Sequence, residues 1–306
     1  MINLKPILLT GCTASGKSHL AKELAALSPS LIINADALQV YKCWKIISAR
    51  PSQQDMNDFN HALYGHIDCN DNYDVASWLD ELKIQLDYAK VRGLKPIIVG
   101  GTGLYFNTIT KGISKIPNID KMTRNKVRSL FKKLGHNNFY EKLLNIDPKV
   151  KNRILPTDSQ RTQRAYEVIL KTKKSLFDWT MNTKSDFINC EIKKVFVDIP
   201  REELLRKISQ RTESMFKNKC IEEVKKFNSF KLNTSLSANK LIGVQEINSY
   251  LKGSISLDQC KELINIKTRQ YAKRQNTWAR GHMKNWNKLY SKDFSILLKK
   301  TLKVIS

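Results

Sequence analysis

Eight residues near the start, GCTASGKS at 11–18, restrict the fold more than any other segment. They satisfy G-x-x-x-x-G-K-[ST] and stand between a short apolar run, Leu4 to Thr10, and a stretch of helical spacing, Lys17 to Leu27. A loop wedged between a strand and a helix in this way turns its backbone amides inward. Gly11 and Gly16 permit the turn, and the helix N-terminus adds its dipole, so the loop becomes a nest for an anion. On this reading Gly11, Cys12, Thr13, Ala14, Ser15, Gly16, Lys17 and Ser18 bind a diphosphate or a triphosphate. Lys17 reaches the outer phosphate and Ser18 offers its hydroxyl to Mg²⁺. The motif does not specify ATP.

The segments after the loop extend the pattern. Leu31 to Ala35 reads as a second strand, set beside the P-loop strand and ending at Asp36. Tyr73 to Val91 carries apolar residues at helical spacing, Pro96 to Val99 is a third strand ended by Gly100 and Gly101, and Gly103 to Thr110 begins a helix. Strands alternating with helices predict an α/β fold, a P-loop NTPase-like parallel sheet with helices on both faces. From Ile119 the chain becomes rich in Lys and Asn with helical spacing and no convincing strand. Val195 to Ile199 then returns to the sheet. The expected organisation is a core of residues 1–118 and 195–306 interrupted by an all-helical insertion, 119–194. Arg201 to Phe227 and Leu257 to Lys284 read as long, basic amphipathic helices.

The charge is unevenly placed. The net charge is +25, yet residues 1–100 hold 10 basic and 10 acidic side chains, so the later two thirds carry the whole excess. A compositional bias would act everywhere, so the distribution points to a polyanion, most simply a nucleic acid, bound by the later part. The six cysteines are scattered without a CxxC pair, which argues against a zinc site and a disulfide scaffold and favours a reducing cytoplasm. No apolar run approaches the ~20 residues that span a bilayer, and no signal peptide is apparent.

Four further segments carry chemistry. Asp36, in NADALQVY, stands where ligands bind in open α/β sheets; its carboxylate suits proton acceptance or Mg²⁺, and equally a helix N-cap for Ala37 onward. IIVGGTGLY at 97–105 puts glycines and Thr102 where an ATPase would carry a metal-binding Asp. DSQRTQRAYEV at 158–168 aligns Gln160, Arg161 and Arg164 on one helical face. Between 266 and 286, Lys267, Arg269, Lys273, Arg274 and Arg280 interleave with Tyr271, Trp278 and Trp286, a composition suited to RNA phosphates and exposed bases.

Taken in order, GCTASGKS, NADALQVYK, VGGTGLYF, DSQRTQRAYEV, RKISQRTESM, KLIGVQE and TRQYAKRQNTWAR resemble the tRNA dimethylallyltransferases, or tRNA isopentenyltransferases, over nearly the whole chain. The resemblance implies transfer of the dimethylallyl group of dimethylallyl diphosphate to the exocyclic amine of adenosine 37 in tRNA, with Mg²⁺ and loss of diphosphate. It implies catalytic roles for Asp36 as general base, Thr102 in orientation, and Lys17 and Arg211 on the leaving group. It further implies that tRNA is held by Asp36, Ala37, Leu38, Gln39, Thr102 and Arg124, by Gln160, Arg161, Thr162, Gln163 and Arg164, and by Lys240, Arg269, Lys273 and Arg274, with Gln39 reading the base edge. The insertion would contact tRNA, and the enzyme would be a monomer away from membranes. The chain departs from the family at Cys12 (usually Pro), Ser18 (Thr), Ala37–Leu38 (Ser-Met) and Val244–Gln245 (Tyr-Lys). The alternatives are an adenylate isopentenyltransferase acting on a free nucleotide, a P-loop small-molecule kinase, and a non-enzymatic RNA-binding protein.

The charge distribution makes one prediction. RNA affinity should fall steeply with salt, log K against log salt having a slope of roughly −0.7 to −0.9 per phosphate neutralised. Small-substrate affinity should respond weakly. Filter binding across a salt series checks both, and a flat RNA slope refutes the assignment.

Overall fold

In the computed structural model, residues 5–181, 183–233 and 236–306 are described; Leu4, placed above in the first strand, lies outside them. The chain divides into two compact units, Met1–Ile109 with Asn189–Ser306, and Thr110–Ile188.

The first unit is built on a parallel sheet of β1 (Ile7–Gly11), β2 (Ser30–Asn34), β3 (Asn60–Ala62), β4 (Lys95–Gly100), β5 (Lys193–Val197) and β6 (Asn287–Leu289), in the order β3-β2-β4-β1-β5-β6. β1 and β2 are buried at every position, as strands covered on both faces must be. Alternate residues serve opposite layers. Ile7, Leu9, Ile97, Val99, Val195 and Val197 pack on one face with Leu20 and Leu24 of α1 (Lys17–Leu27) and Leu297 and Ile305 of α12 (Phe294–Ile305). The expectation that β2 lies beside the P-loop strand is corrected, because β4 stands between them. Among the described residues β2 pairs only with β3 and β4.

Between the strands run α2 (Gln53–Asp58), α3 (Val75–Val91) and α4 (Gly103–Lys111). α3 is fastened at the strand ends, where buried Trp78 donates to Asn34 O (2.8 Å) and stacks on Tyr105 of α4 with ring centroids 4.2 Å apart. After β5 come α8 (Arg201–Lys217), α9 (Cys220–Ser229), α10 (Val244–Leu251) and α11 (Leu257–His282). The single helix expected over Arg201 to Phe227 is therefore two. Lys219, with φ 66°, turns the chain between them, and Cys220, Val224 and Phe227 fold back onto Trp44 and Ile47. Val244 is buried in that same cluster, so the departure there serves packing. Short β3 and β6 lack the apolar runs that would announce them. Three residues pair each to its neighbour, and their side chains are largely half-buried or exposed.

The described residues of the second unit form helices and connecting loops without a strand: α5 (Lys121–Ile146), α6 (Ser159–Thr172) and α7 (Leu176–Met181), with a 3-10 turn at Pro148–Val150. α5 leaves helical geometry at Gly135 (φ 71°). Phe139, Leu143, Val150 and Tyr166 form its core.

One expectation about the cysteines is overturned. Cys43 and Cys69 form a disulfide across 26 residues. They meet because Lys42 N donates to Ile67 O (2.9 Å) beside a Tyr41–Ile67 bridge, a long-range pairing with no sequence signature.

Gly100 supplies a prediction. A Cβ there would lie 2.0 Å from Ala35 O, whereas at Gly281, in α11, it would meet nothing within 4 Å. Gly100→Ala should destabilise by about 1–3 kcal/mol or more, as overpacking does. Gly281→Ala should leave stability unchanged or raise it by up to about 1 kcal/mol, the helix propensity difference. Chemical denaturation of the two variants decides.

Candidate active site

β1 ends in the P-loop, and the loop's shape follows from two residues in the left-handed region, Ala14 (φ 61°) and Gly16 (φ 90°). Ser15 N closes back on Cys12 O (3.2 Å), α1 starts at Lys17, and Lys17 Nζ donates to Cys12 O (3.1 Å). Ser15 Oγ is buried without a hydrogen-bond partner, an orphaned donor inside the nest. Burial pushes the Lys17 ammonium below its ordinary pKa, partly countered by Asp36, while burial raises the Cys12 thiol above its own.

Arg211 reaches the loop from α8. Nη1 donates to Thr13 Oγ1 (3.0 Å) and Nη2 to Ile47 O (3.4 Å). Burial lowers its pKa too, with Asp36 opposing. Asp36 follows β2 in a web of main-chain bonds. Asn34 Oδ1 accepts from Asp36 N (2.9 Å), Asp36 Oδ1 accepts from Leu38 N (3.0 Å), and Thr102 Oγ1 accepts from Ala37 N (2.9 Å). No helix follows, so the N-cap alternative lapses; Asp36 closes a short turn instead.

Thr13, Gly16, Lys17, Ser18, Asp36 and Arg211 open onto one cavity of about 530 Å³, whose apolar wall includes Leu38, Ile47, Ile208, Met215, Leu241 and Ile264. Gln39 and Lys240 also line it, but Gln39 Nε2 is committed to Ser48 O (2.9 Å) and Ala49 O (3.0 Å). A second cavity of about 270 Å³ takes Gly101, Thr102 and Trp278. Tyr271, Arg274 and Gln275 line both cavities. Arg274 lies over the Tyr271 ring, 5.7 Å from its centroid. The arrangement sets a cationic anion nest, a carboxylate and an apolar wall around one space.

The remaining residues with expected roles lie elsewhere. In α11, Arg269 pairs with Glu262 (3.4 Å) and Lys273 is exposed. Within the second unit, Gln160 and Arg161 are exposed and Arg164 pairs with Glu167 (3.4 Å). Gln163 Nε2 bonds Ser159 O (3.0 Å). Thr162 is buried with its hydroxyl on Asp158 O (3.0 Å), which withdraws it from the surface. Arg124 has a buried Nε without a partner.

Sequence reasoning passed over Gln275. Its Oε1 accepts from Thr13 N (2.8 Å) and its Nε2 donates to Gly101 O (2.8 Å), fastening the P-loop to the glycine turn after β4. It sits inside a run read only for its charges and aromatics, where a neutral amide carries no signal.

The model of the IPP transferase family matches residues 39–282. The chain belongs to the IPP transferase family. A family member from Pelagibacter ubique, a tRNA dimethylallyltransferase, is 47% identical over 93% of this chain and 91% of its own. A second tRNA dimethylallyltransferase, from Ruegeria, is 36% identical over 93% and 95%. Among solved structures, a eukaryotic dimethylallyltransferase acting on tRNA superposes with a TM-score of 0.81 at 25% identity, covering 95% of this chain and 75% of that one. The tRNA isopentenylpyrophosphate transferase of Staphylococcus epidermidis gives 0.67 at 27% identity, covering 98% of each.

Arg211 generates the prediction here. Its fork spans Thr13 and Ile47, which an ammonium cannot do. Arg211→Lys should weaken inorganic diphosphate binding roughly tenfold or more, the worth of one charge-assisted hydrogen bond. Calorimetric titration measures it.

Proposed function

We propose that this chain transfers the dimethylallyl group from dimethylallyl diphosphate to the exocyclic amine of adenosine 37 in tRNA and releases diphosphate. The observation that carries the reading is that the P-loop nest and Asp36 face one cavity with an apolar wall, in a chain of this family. Breaking an allylic carbon–oxygen bond builds negative charge on the departing diphosphate. The loop amides, Lys17 and Arg211, which border the cavity, would receive it, and donors fixed in advance need little reorganisation. Burial disfavours the charged forms of both cations, which share the cavity with the Asp36 carboxylate, and a bound diphosphate would favour those charged forms. The apolar residues take the hydrocarbon tail. The exocyclic amine is a poor nucleophile because its lone pair is delocalised into the ring. Asp36, held by Asn34 and Leu38, accepts its proton. Thr102 orients the turn that carries Asp36 through Ala37 N. The base leaves the anticodon-loop stack to reach this space. Gln39, Arg124, the exposed α6 residues, Lys240 and the basic side chains of α11 hold the surrounding RNA.

Mg²⁺ fits as a companion of the substrate. Among the described residues no cluster of three or more His, Cys, Asp or Glu could hold a metal ion. Mg²⁺ keeps several waters and takes one or two protein oxygens plus phosphate oxygens. Ser18 Oγ and the Asp36 carboxylate are among the oxygen donors lining the cavity and would hold the ion. When bound, the ion would neutralise charge on the diphosphate. Among the described residues no helix is long and apolar enough to cross a membrane; the reading places the enzyme in the cytoplasm as a monomer.

Incubation with labelled dimethylallyl diphosphate and either unmodified tRNA or AMP tests the reading. Label should enter tRNA, and label entering AMP alone would transfer the assignment to a free-nucleotide enzyme. Asp36→Asn should slow the single-turnover rate by about 100-fold or more, the scale of general-base catalysis, with dimethylallyl diphosphate binding little changed. A defect that shrinks at high Mg²⁺ would make Asp36 a metal ligand instead.

Lys17 adds a pH signature. Its pKa is depressed in the free protein, so it loses its proton early as pH rises, and bound diphosphate favours the ammonium. Diphosphate binding should therefore take up protons on the alkaline side and weaken as pH climbs through the depressed pKa. Calorimetry in buffers of different ionisation enthalpy, with Lys17→Met as the reference for the ligand's own titration, should show the difference; identical proton uptake by the two would rule it out.

A further inference from the structure

Glu223, on the first turn of α9, gathers three consecutive backbone amides. Lys45 N (2.6 Å) and Ile46 N (2.8 Å) donate to Oε1, and Ile47 N (2.9 Å) to Oε2. Consecutive amides converge on one point only where the chain turns, and here Ala49 N to Ile46 O (3.0 Å) and Arg50 N to Lys45 O (3.0 Å) close that turn. The segment is thus a second anion nest in the molecule, filled by a carboxylate from the chain itself.

Its other side is the cavity wall. Ile47, Ser48 and Ala49 line the cavity, and Glu223 does not. Ile47 O accepts Arg211 Nη2, and Arg211 Nη1 holds Thr13 of the P-loop. A continuous set of contacts therefore runs from Glu223 through the Ile47 main chain and Arg211 to the loop. We propose that Glu223 is a positioning residue for the diphosphate clamp, holding the 45–49 turn so that Ile47 O keeps the Arg211 fork aimed at Thr13. The proposal rests on the reading that diphosphate occupies the P-loop. A carboxylate is required because two anionic oxygens serve three donors. Glutamine offers one acceptor and turns an NH₂ group toward the same amides.

The test compares the wild type with Glu223→Gln, Glu223→Asp and Glu223→Ala, using inorganic diphosphate as the calorimetric probe and steady-state kinetics for dimethylallyl diphosphate. Misplacement by ~1 Å can cost on the order of 100-fold. Glu223→Gln is expected to bind diphosphate roughly tenfold or more weakly, with KM for dimethylallyl diphosphate raised in parallel. Glu223→Asp should lie between, since it keeps the charge but reaches less far. Formate should restore much of the affinity of Glu223→Ala by filling the vacated nest, and should leave the wild type unmoved. A lower melting temperature with wild-type diphosphate affinity would show a purely structural cap and overturn the proposal. So would Glu223→Ala that is weakened yet deaf to formate. If Glu223→Gln fails to fold, the order of Asp and the formate response decide alone. A wild type that does not bind diphosphate would overturn the P-loop reading itself, and this proposal with it.

Discussion

Two half-buried cations, Lys17 and Arg211, share a cavity with the carboxylate of Asp36, and the rest of the site is arranged around that imbalance. Isolated charges are expensive to desolvate. Here the cost is offset piecemeal, by Cys12 O for Lys17 and by Thr13 Oγ1 and Ile47 O for Arg211. None of these partners carries a full negative charge. On the proposed reading, the resting site presents positive charge that a multiply charged anion would neutralise.

The neighbourhood of Asp36 shows how a polar group is fixed at such a place. β2 delivers it, β4 keeps its distance from the P-loop strand, and the glycine turn after β4 closes on it. Gly100 lies against Ala35 O closely enough to admit no side chain. Thr102 N returns to Ala35 O (3.2 Å) while Thr102 Oγ1 receives Ala37 N. The glycines that replace an ATPase carboxylate are thus part of the geometry that presents a different carboxylate.

Much of this was legible in the sequence, and the limits have physical causes. The P-loop, α1, α3 and the central strands declare themselves by local pattern, glycine placement and uninterrupted apolar runs. Lys17, Asp36 and Arg211 line one cavity. Strand order was misread because β2 follows β1 closely in the chain, while adjacency in a sheet depends on where the later strand β4 inserts. Gln275 and Glu223 escaped notice because each acts through main-chain atoms of distant segments, and main-chain partners leave no trace in side-chain identity. The Cys43–Cys69 pairing escaped for the same reason. It depends on the register between two loops.

Gln275 has a kinematic consequence. One amide on a 26-residue helix joins Thr13 of the P-loop to Gly101 of the turn after β4. Any displacement of α11 would carry both supports along in the same direction. The spacing between the two loops would then vary less than the position of either, as two needles mounted on one carriage stay aligned while the carriage moves.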